Sequence, residues 1–117
     1  MGLLFWRNRR TTSATQAKAL IDEGAVLVDV REAQEWRAGH APGATHIPLG
    51  QLQRRMSSLP KDRTVIAVCR SGGRSRMATS QLSQAGYEVR NLSGGMVAWE
   101  RSGLPLVTDK GKPGRVR

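Results

Sequence analysis

A parallel-rich α/β sheet with helices on both faces is the fold class this sequence predicts, and three observations predict it. Short apolar runs alternate along the chain with short amphipathic helical stretches, the pattern of strand–helix–strand units. The runs Ala25-Val26-Leu27-Val28-Asp29-Val30 and Thr64-Val65-Ile66-Ala67-Val68 are nearly continuous, as in strands covered on both sides. Glycines close the helical stretches at Gly24, Gly39, Gly86 and Gly103. With 117 residues, 38% of them hydrophobic, the chain can bury one core and is too short for two.

The elements follow in order. Thr12 or Ser13 is placed to cap a first helix over residues 15–22, and Gly24 stops it. The strand 25–30 comes next, then a short helix over 31–38 that Gly39 ends. Residues 40–45 are turn material around Pro42-Gly43, and His46-Ile47 ahead of Pro48 reads as a short strand. Leu49 to Ser57 is expected to form a basic amphipathic helix with Leu49, Leu52 and Met56 inward. Pro60-Lys61-Asp62 turns into the strand that ends at Val68. A helix over 75–85 should direct Met77, Ala78, Leu82 and Ala85 to the sheet. A strand over 87–92 and a last helix over 96–101 complete the set. Trp36 and Trp99 read as core anchors. Residues 1–11 form a basic N-terminal segment, 12–106 the folded domain, and 107–117 a flexible basic tail rich in Gly, Lys and Pro.

The formal net charge is +10, but it is concentrated at the ends. Arg7, Arg9 and Arg10 supply three charges, the segment from Asp109 onward a net three, and residues 11–108 only four. No aromatics interleave with these basic runs, so a stacking platform for nucleic acid is not expected. No apolar stretch is long enough to cross a bilayer as a helix. Gly2-Leu3-Leu4-Phe5-Trp6 ahead of the arginines leaves open a weak contact with an anionic membrane surface, against the blander reading of a frayed or packed terminus. A single cysteine rules out an intramolecular disulfide and fits a reducing, cytoplasmic setting. One cysteine and two histidines, His40 and His46, without close spacing predict no metal site.

The chemistry concentrates in Cys69-Arg70-Ser71-Gly72-Gly73-Arg74-Ser75, where a buried strand gives way to a helix. Two glycines let the turn fold tightly and direct its N–H groups inward, and the helix N-terminus and two arginines add positive charge. Such a cup favours a thiolate and can hold an anion at the sulfur. A cysteine after a buried strand is ordinarily a small core hydrophobe; the glycines and arginines around Cys69 reverse that expectation. Asp29 and Arg31 leave the neighbouring strand at the same sheet edge. They read either as site residues or as an ion pair bracing the loops. Arg74 is a candidate partner for Glu35 or Asp29, and His40 and His46 read as structural.

Three blocks carry a family resemblance. The first is Asp29-Val30-Arg31-Glu32 with Glu35-Trp36, Gly39-His40-Ala41-Pro42-Gly43-Ala44 and Ile47-Pro48-Leu49. The second is the Cys69–Ser75 loop, and the third is Gly94-Gly95-Met96 with Trp99. In this order they resemble the single-domain rhodanese (thiosulfate sulfurtransferase) family, from about residue 12 to Leu106. The resemblance implies an enzyme that needs no cofactor. Cys69 would take sulfane sulfur from thiosulfate or a similar donor and carry it as a persulfide to cyanide, a thiol or a protein acceptor. Residues 70–75 would bind the persulfide, with Asp29, Arg31 and Glu35 in support. A noncatalytic carrier or partner-binding module is the alternative. A dual-specificity phosphatase or arsenate reductase on the same scaffold is a third reading. Cys69 to Arg74 spans Cys-x4-Arg as in the sulfurtransferases, where those phosphatases have Cys-x5-Arg, and Val68 stands where they place histidine.

Overall fold

Near-continuous apolar strands become fully buried when helices cover both faces of a sheet, and this chain does so with five parallel strands. The computed structural model describes residues 10–117. The reading of an apolar, membrane-touching start lies outside the described residues. The elements are β1 (Thr11–Thr12), α1 (Ala14–Asp22), β2 (Val26–Asp29), α2 (Ala33–Ala38), β3 (Thr45–His46), α3 (Leu52–Arg55), β4 (Val65–Val68), α4 (Gly73–Gln84), β5 (Val89–Leu92) and α5 (Gly95–Arg101). The sheet runs β1-β5-β4-β2-β3, every neighbour parallel, with Asp29 opposite Val68 and Ala67 opposite Asn91.

The period of two along each strand sorts the core into two layers. Val28, Val30, Val65, Ala67 and Cys69 pack with Leu52 of α3 and Ala78 and Leu82 of α4. Leu27, Ile66, Val68 and Leu92 pack on the other face with Ala14 and Ala17 of α1 and Met96 and Trp99 of α5. Central β4 is buried along its whole length, so its C-terminal end, where Cys69 follows, is a rigid platform.

Several expectations are corrected. Strand β1 has no periodicity to betray it. Its two residues join the sheet through Asn91 N–H to Arg10 O (2.7 Å) and Ser93 N–H to Thr12 O (2.8 Å). Ser13, not Thr12, caps α1, in a reciprocal capping box with Gln16. The helix expected over 49–57 is broken into a 3-10 turn (Leu49–Gln51), the single turn α3, and a second 3-10 turn (Met56–Ser58). Gly50 and the Ser57-Ser58 pair are weak helix formers, and the Ser58 hydroxyl donates to Arg55 O. Met77 is 57% exposed, because the inward side of α4 is Ser75, Ala78, Thr79 and Leu82. Trp99 is a core anchor, but Trp36 is only half-buried and stacks between His40 (3.6 Å between ring centroids) and His46 (4.7 Å).

The segment expected to be a flexible tail, 107–117, is docked. Val107 and His40 exchange backbone hydrogen bonds, Arg115 N–H donates to Ala38 O, and Val116 packs on the α1/α5 layer. Asp109 accepts from Trp36 Nε1 (3.2 Å) and lies 3.4 Å from His40 Nε2. Gly39 and Gly114 make the docking close: a Cβ on Gly114 would stand 2.7 Å from Gly39 Cα. Composition alone predicted mobility. The glycines instead serve a backbone-to-backbone contact.

Candidate active site

Cys69 lies one residue beyond β4, with only 1% of its surface exposed. The chain must turn there at once to start α4, and it does so through Gly72, whose φ of 121° is unfavourable for any residue with a Cβ. The turn is anchored from behind. Met96 N–H donates to Cys69 O (2.8 Å) and Val97 N–H to Arg70 O (3.1 Å), so the first turn of α5 takes up the loop carbonyls. Gly95 (φ 60°) makes this approach feasible, because a Cβ there would run into the Cys69 and Arg70 carbonyls. With its carbonyls held outward, the loop has its N–H groups left to face the sulfur.

Gly72 N–H donates to Cys69 Sγ at 3.1 Å, and the Ser75 hydroxyl lies 3.3 Å from it. Burial pushes the Cys69 thiol up. The Ser75 hydroxyl and the backbone N–H groups of Ser75, Gly72 and Ser71 outweigh that, and the pKa lies below that of an ordinary cysteine. The start of the 12-residue helix α4 adds its dipole in the same sense.

Ser75 is itself held by Asn91 of β5, a residue that the sequence reading passed over. Ser75 Oγ lies 2.6 Å from Asn91 Oδ1, and Asn91 Nδ2 donates to Gly72 O (3.3 Å). One hydroxyl proton faces three acceptors: Asn91 Oδ1, Cys69 Sγ, and Gly72 O at 3.3 Å. The shortest contact holds it in the resting arrangement, and a developing charge on sulfur competes for it. Asn91 is 6% exposed at an inward position of β5, where an amide must be satisfied by something nearby.

Arg74 does not point a free charge at the sulfur. Its guanidinium pairs with Glu35 of α2 in a bidentate fork (2.6 and 2.9 Å), tying α4 to the opposite side of the site. Arg74 holds the Glu35 carboxyl down at about 2, against the opposing effect of burial; the Glu32 N–H and the charge of Arg31 also lower it. The Arg74 pKa is raised by the same pair. Asp29 and Arg31 form a second, fully buried fork, and Arg31 Nη2 also donates to Gly39 O (2.8 Å). This pair braces the β2–α2 connection and makes no hydrogen bond to the Cys69 loop. Arg70 is exposed and its Nε donates to Arg117 O (2.8 Å). Gly73 opens α4, and Ser71 adds its N–H to the cradle. Among the described residues no cluster of His, Cys, Asp and Glu is arranged for a metal.

A cysteine whose ionisation is favoured by a cradle of donors, with its loop braced by an ion pair, is equipped to act as a nucleophile and then to carry an anionic adduct. The rhodanese-like domain family model matches residues 13–102. The chain belongs to that family. Among similar curated proteins is a sulfurtransferase of Allochromatium vinosum, 47% identical over 90 residues that cover 76% of this chain and 84% of the relative. Another is the putative sulfurtransferase YtwF of Bacillus subtilis, 39% identical over 95 residues, covering 81% and 92%. A rhodanese-related protein from Thermoplasma volcanium superposes with a TM-score of 0.79 at 30% identity, over 84% of this chain and 97% of its own. Sulfur transfer, in general terms, is the activity that this rhodanese domain and its sulfurtransferase relatives support.

Proposed function

We propose that this rhodanese domain moves sulfane sulfur in two half-reactions through a persulfide on Cys69, with thiosulfate or a similar anion as donor. The Cys69 thiolate attacks the outer sulfur of thiosulfate. A Cys–S–S bond forms, the S–S bond of thiosulfate breaks, and sulfite leaves with that bond's electron pair. An acceptor nucleophile, cyanide or a thiolate, then attacks the outer sulfur of the persulfide and Cys69 leaves as thiolate. Charge and electrons balance in each step, so no cofactor is called for.

The observation that carries the reading is the convergence of donors on Cys69 Sγ from Gly72 N–H and the Ser75 hydroxyl, with Ser71 and Ser75 N–H adding to it. A persulfide anion is large and polarisable, and several convergent donors suit it better than one strong base. On this reading Gly73 and the residues at 71, 72 and 75 hold the sulfur. Arg70, its Nε held by Arg117 O, adds positive charge to the loop for the incoming anion, and Arg74 with Glu35 keeps the loop in shape. Asp29 and Arg31 support it through the β2–α2 connection. A free, easily ionised cysteine suits the reducing conditions of the cytoplasm.

The test is transfer of sulfur from thiosulfate to cyanide, followed as thiocyanate. Wild-type protein is expected to turn over, and Cys69→Ser and Cys69→Ala to be inactive with an unchanged fold. Turnover in either variant would reject the assignment.

A further inference from the structure

A pocket of about 440 Å³ opens beside the cysteine loop, with Ser71 and Gly72 in common with the sulfur cradle and no residue in common with the Arg74–Glu35 brace. Its wall includes Arg10, Arg76, Ser71, Gly72, Ser80 and Ser93. Among the described residues no acidic and no aromatic side chain lines it. Neither arginine forms an ion pair with a described residue. Arg10 and Arg76 are exposed at the pocket, and their two guanidinium groups give its rim positive charge with no carboxylate among the described lining residues. The hydroxyls of Ser71, Ser80 and Ser93 offer further donors.

Size and lining restrict what can sit there. The volume is that of an organic ligand or a few residues of peptide, well beyond one small inorganic anion. The described lining offers no aromatic face for a base or ring to stack on. The pocket shares Ser71 and Gly72 with the cradle, and the Gly72 N–H is 3.1 Å from Sγ. The pocket wall and the sulfur cradle therefore meet at Gly72.

We infer that this pocket docks the acidic segment of a protein acceptor, a cysteine flanked by carboxylates, and so selects which thiol receives the sulfur. The inference rests on the persulfide reading above. The acceptor thiolate attacks the outer persulfide sulfur, its own S–S bond forms, the bond to Cys69 breaks, and Cys69 leaves as thiolate. The acceptor cysteine becomes the persulfide, with no oxidant or reductant consumed.

The experiment loads full-length protein with thiosulfate and follows discharge of Cys69 by intact mass. The acceptors are short cysteinyl peptides flanked by glutamate, glutamine or lysine, with each rate divided by the cyanide rate of the same protein. The glutamate peptide is expected to react roughly three- to tenfold faster than the glutamine peptide at low ionic strength, from two exposed charge pairs. The preference should vanish at ~1 M salt, where the Debye length is about 3 Å, and in an Arg10→Gln/Arg76→Gln protein. Equal rates for the three peptides, or a preference that survives in the double variant, would overturn the inference. A second arm measures calorimetric binding of the S-methylated glutamate and glutamine peptides to wild-type protein, which needs no sulfur chemistry. If no persulfide forms, the functional reading fails while tighter glutamate binding still supports the pocket. Equal binding of the two peptides overturns the pocket whatever the chemistry does.

Discussion

Replacing Glu35 with Gln removes the charge that holds the Arg74 fork and keeps the shape of the side chain. Glu35 has its carboxyl lowered from 4.5 to about 2, first through the hydrogen-bonded Arg74. At about 1.4 kcal/mol per unit, the full shift corresponds to at most about 3 kcal/mol. The Arg74 side chain is 36% exposed, so solvent screens the pair and about 1–2 kcal/mol is the expected contribution. Because the folded-state value is depressed, this stability is fully present above about 4.5 and is lost as pH falls through about 2. The assay is urea unfolding of wild type and Glu35→Gln from neutral pH into the acid range. The variant should be less stable by about 1–2 kcal/mol at neutral pH. The difference should shrink steadily below 4.5, as the wild-type carboxyl takes up its proton. The Gln amide oxygen can still accept the Glu32 N–H, so the start of α2 is retained. A stability difference that stays constant across the acid limb, or no difference at neutral pH, would refute the assignment of a stabilising charge pair.

Other expectations concern the cradle and its supports. Ser75→Ala removes a donor to sulfur, so the thiolate absorbance of Cys69 should titrate at higher pH than in wild type; an unchanged or lower midpoint would contradict the cradle. Asn91→Asp puts a negative charge where Oδ1 now sits, 2.6 Å from the Ser75 hydroxyl. It should hold that proton away from Sγ and also raise the midpoint, measured in the same titration. Gly95→Ala forces a Cβ into the Cys69 and Arg70 carbonyls at a φ of 60° and should destabilise the protein by about 2–4 kcal/mol, read from chemical unfolding. Gly39→Ala should displace the docked C-terminal segment. Amide exchange at Arg115 is expected to speed up while that at Val68 is unchanged.

Much of this molecule was legible from pattern alone, for reasons that differ by element. Strands β2 and β4 are continuous apolar runs, and α4 and α5 are announced by glycines that only a tight turn requires. The cup at Cys69 could be read because strand end, glycine pair and helix start adjoin in sequence. Its support could not. Asn91 is sixteen residues from Ser75, and the docked segment meets Gly39 across more than seventy, so both depend on tertiary contacts. Strand β1, at two residues, is too short for any periodicity. Arg31 and Arg74 sit near several carboxylates in sequence and space. Only the geometry distributes them, Arg31 to Asp29 and Arg74 to Glu35.

The central claim is a sulfur atom carried covalently on Cys69, and intact-protein mass spectrometry tests it most directly. Incubation with thiosulfate should add one sulfur, about 32 Da, which cyanide then removes and which Cys69→Ser never acquires. Folded wild-type protein that gains no mass from thiosulfate, or an adduct that persists in Cys69→Ser, would contradict the account.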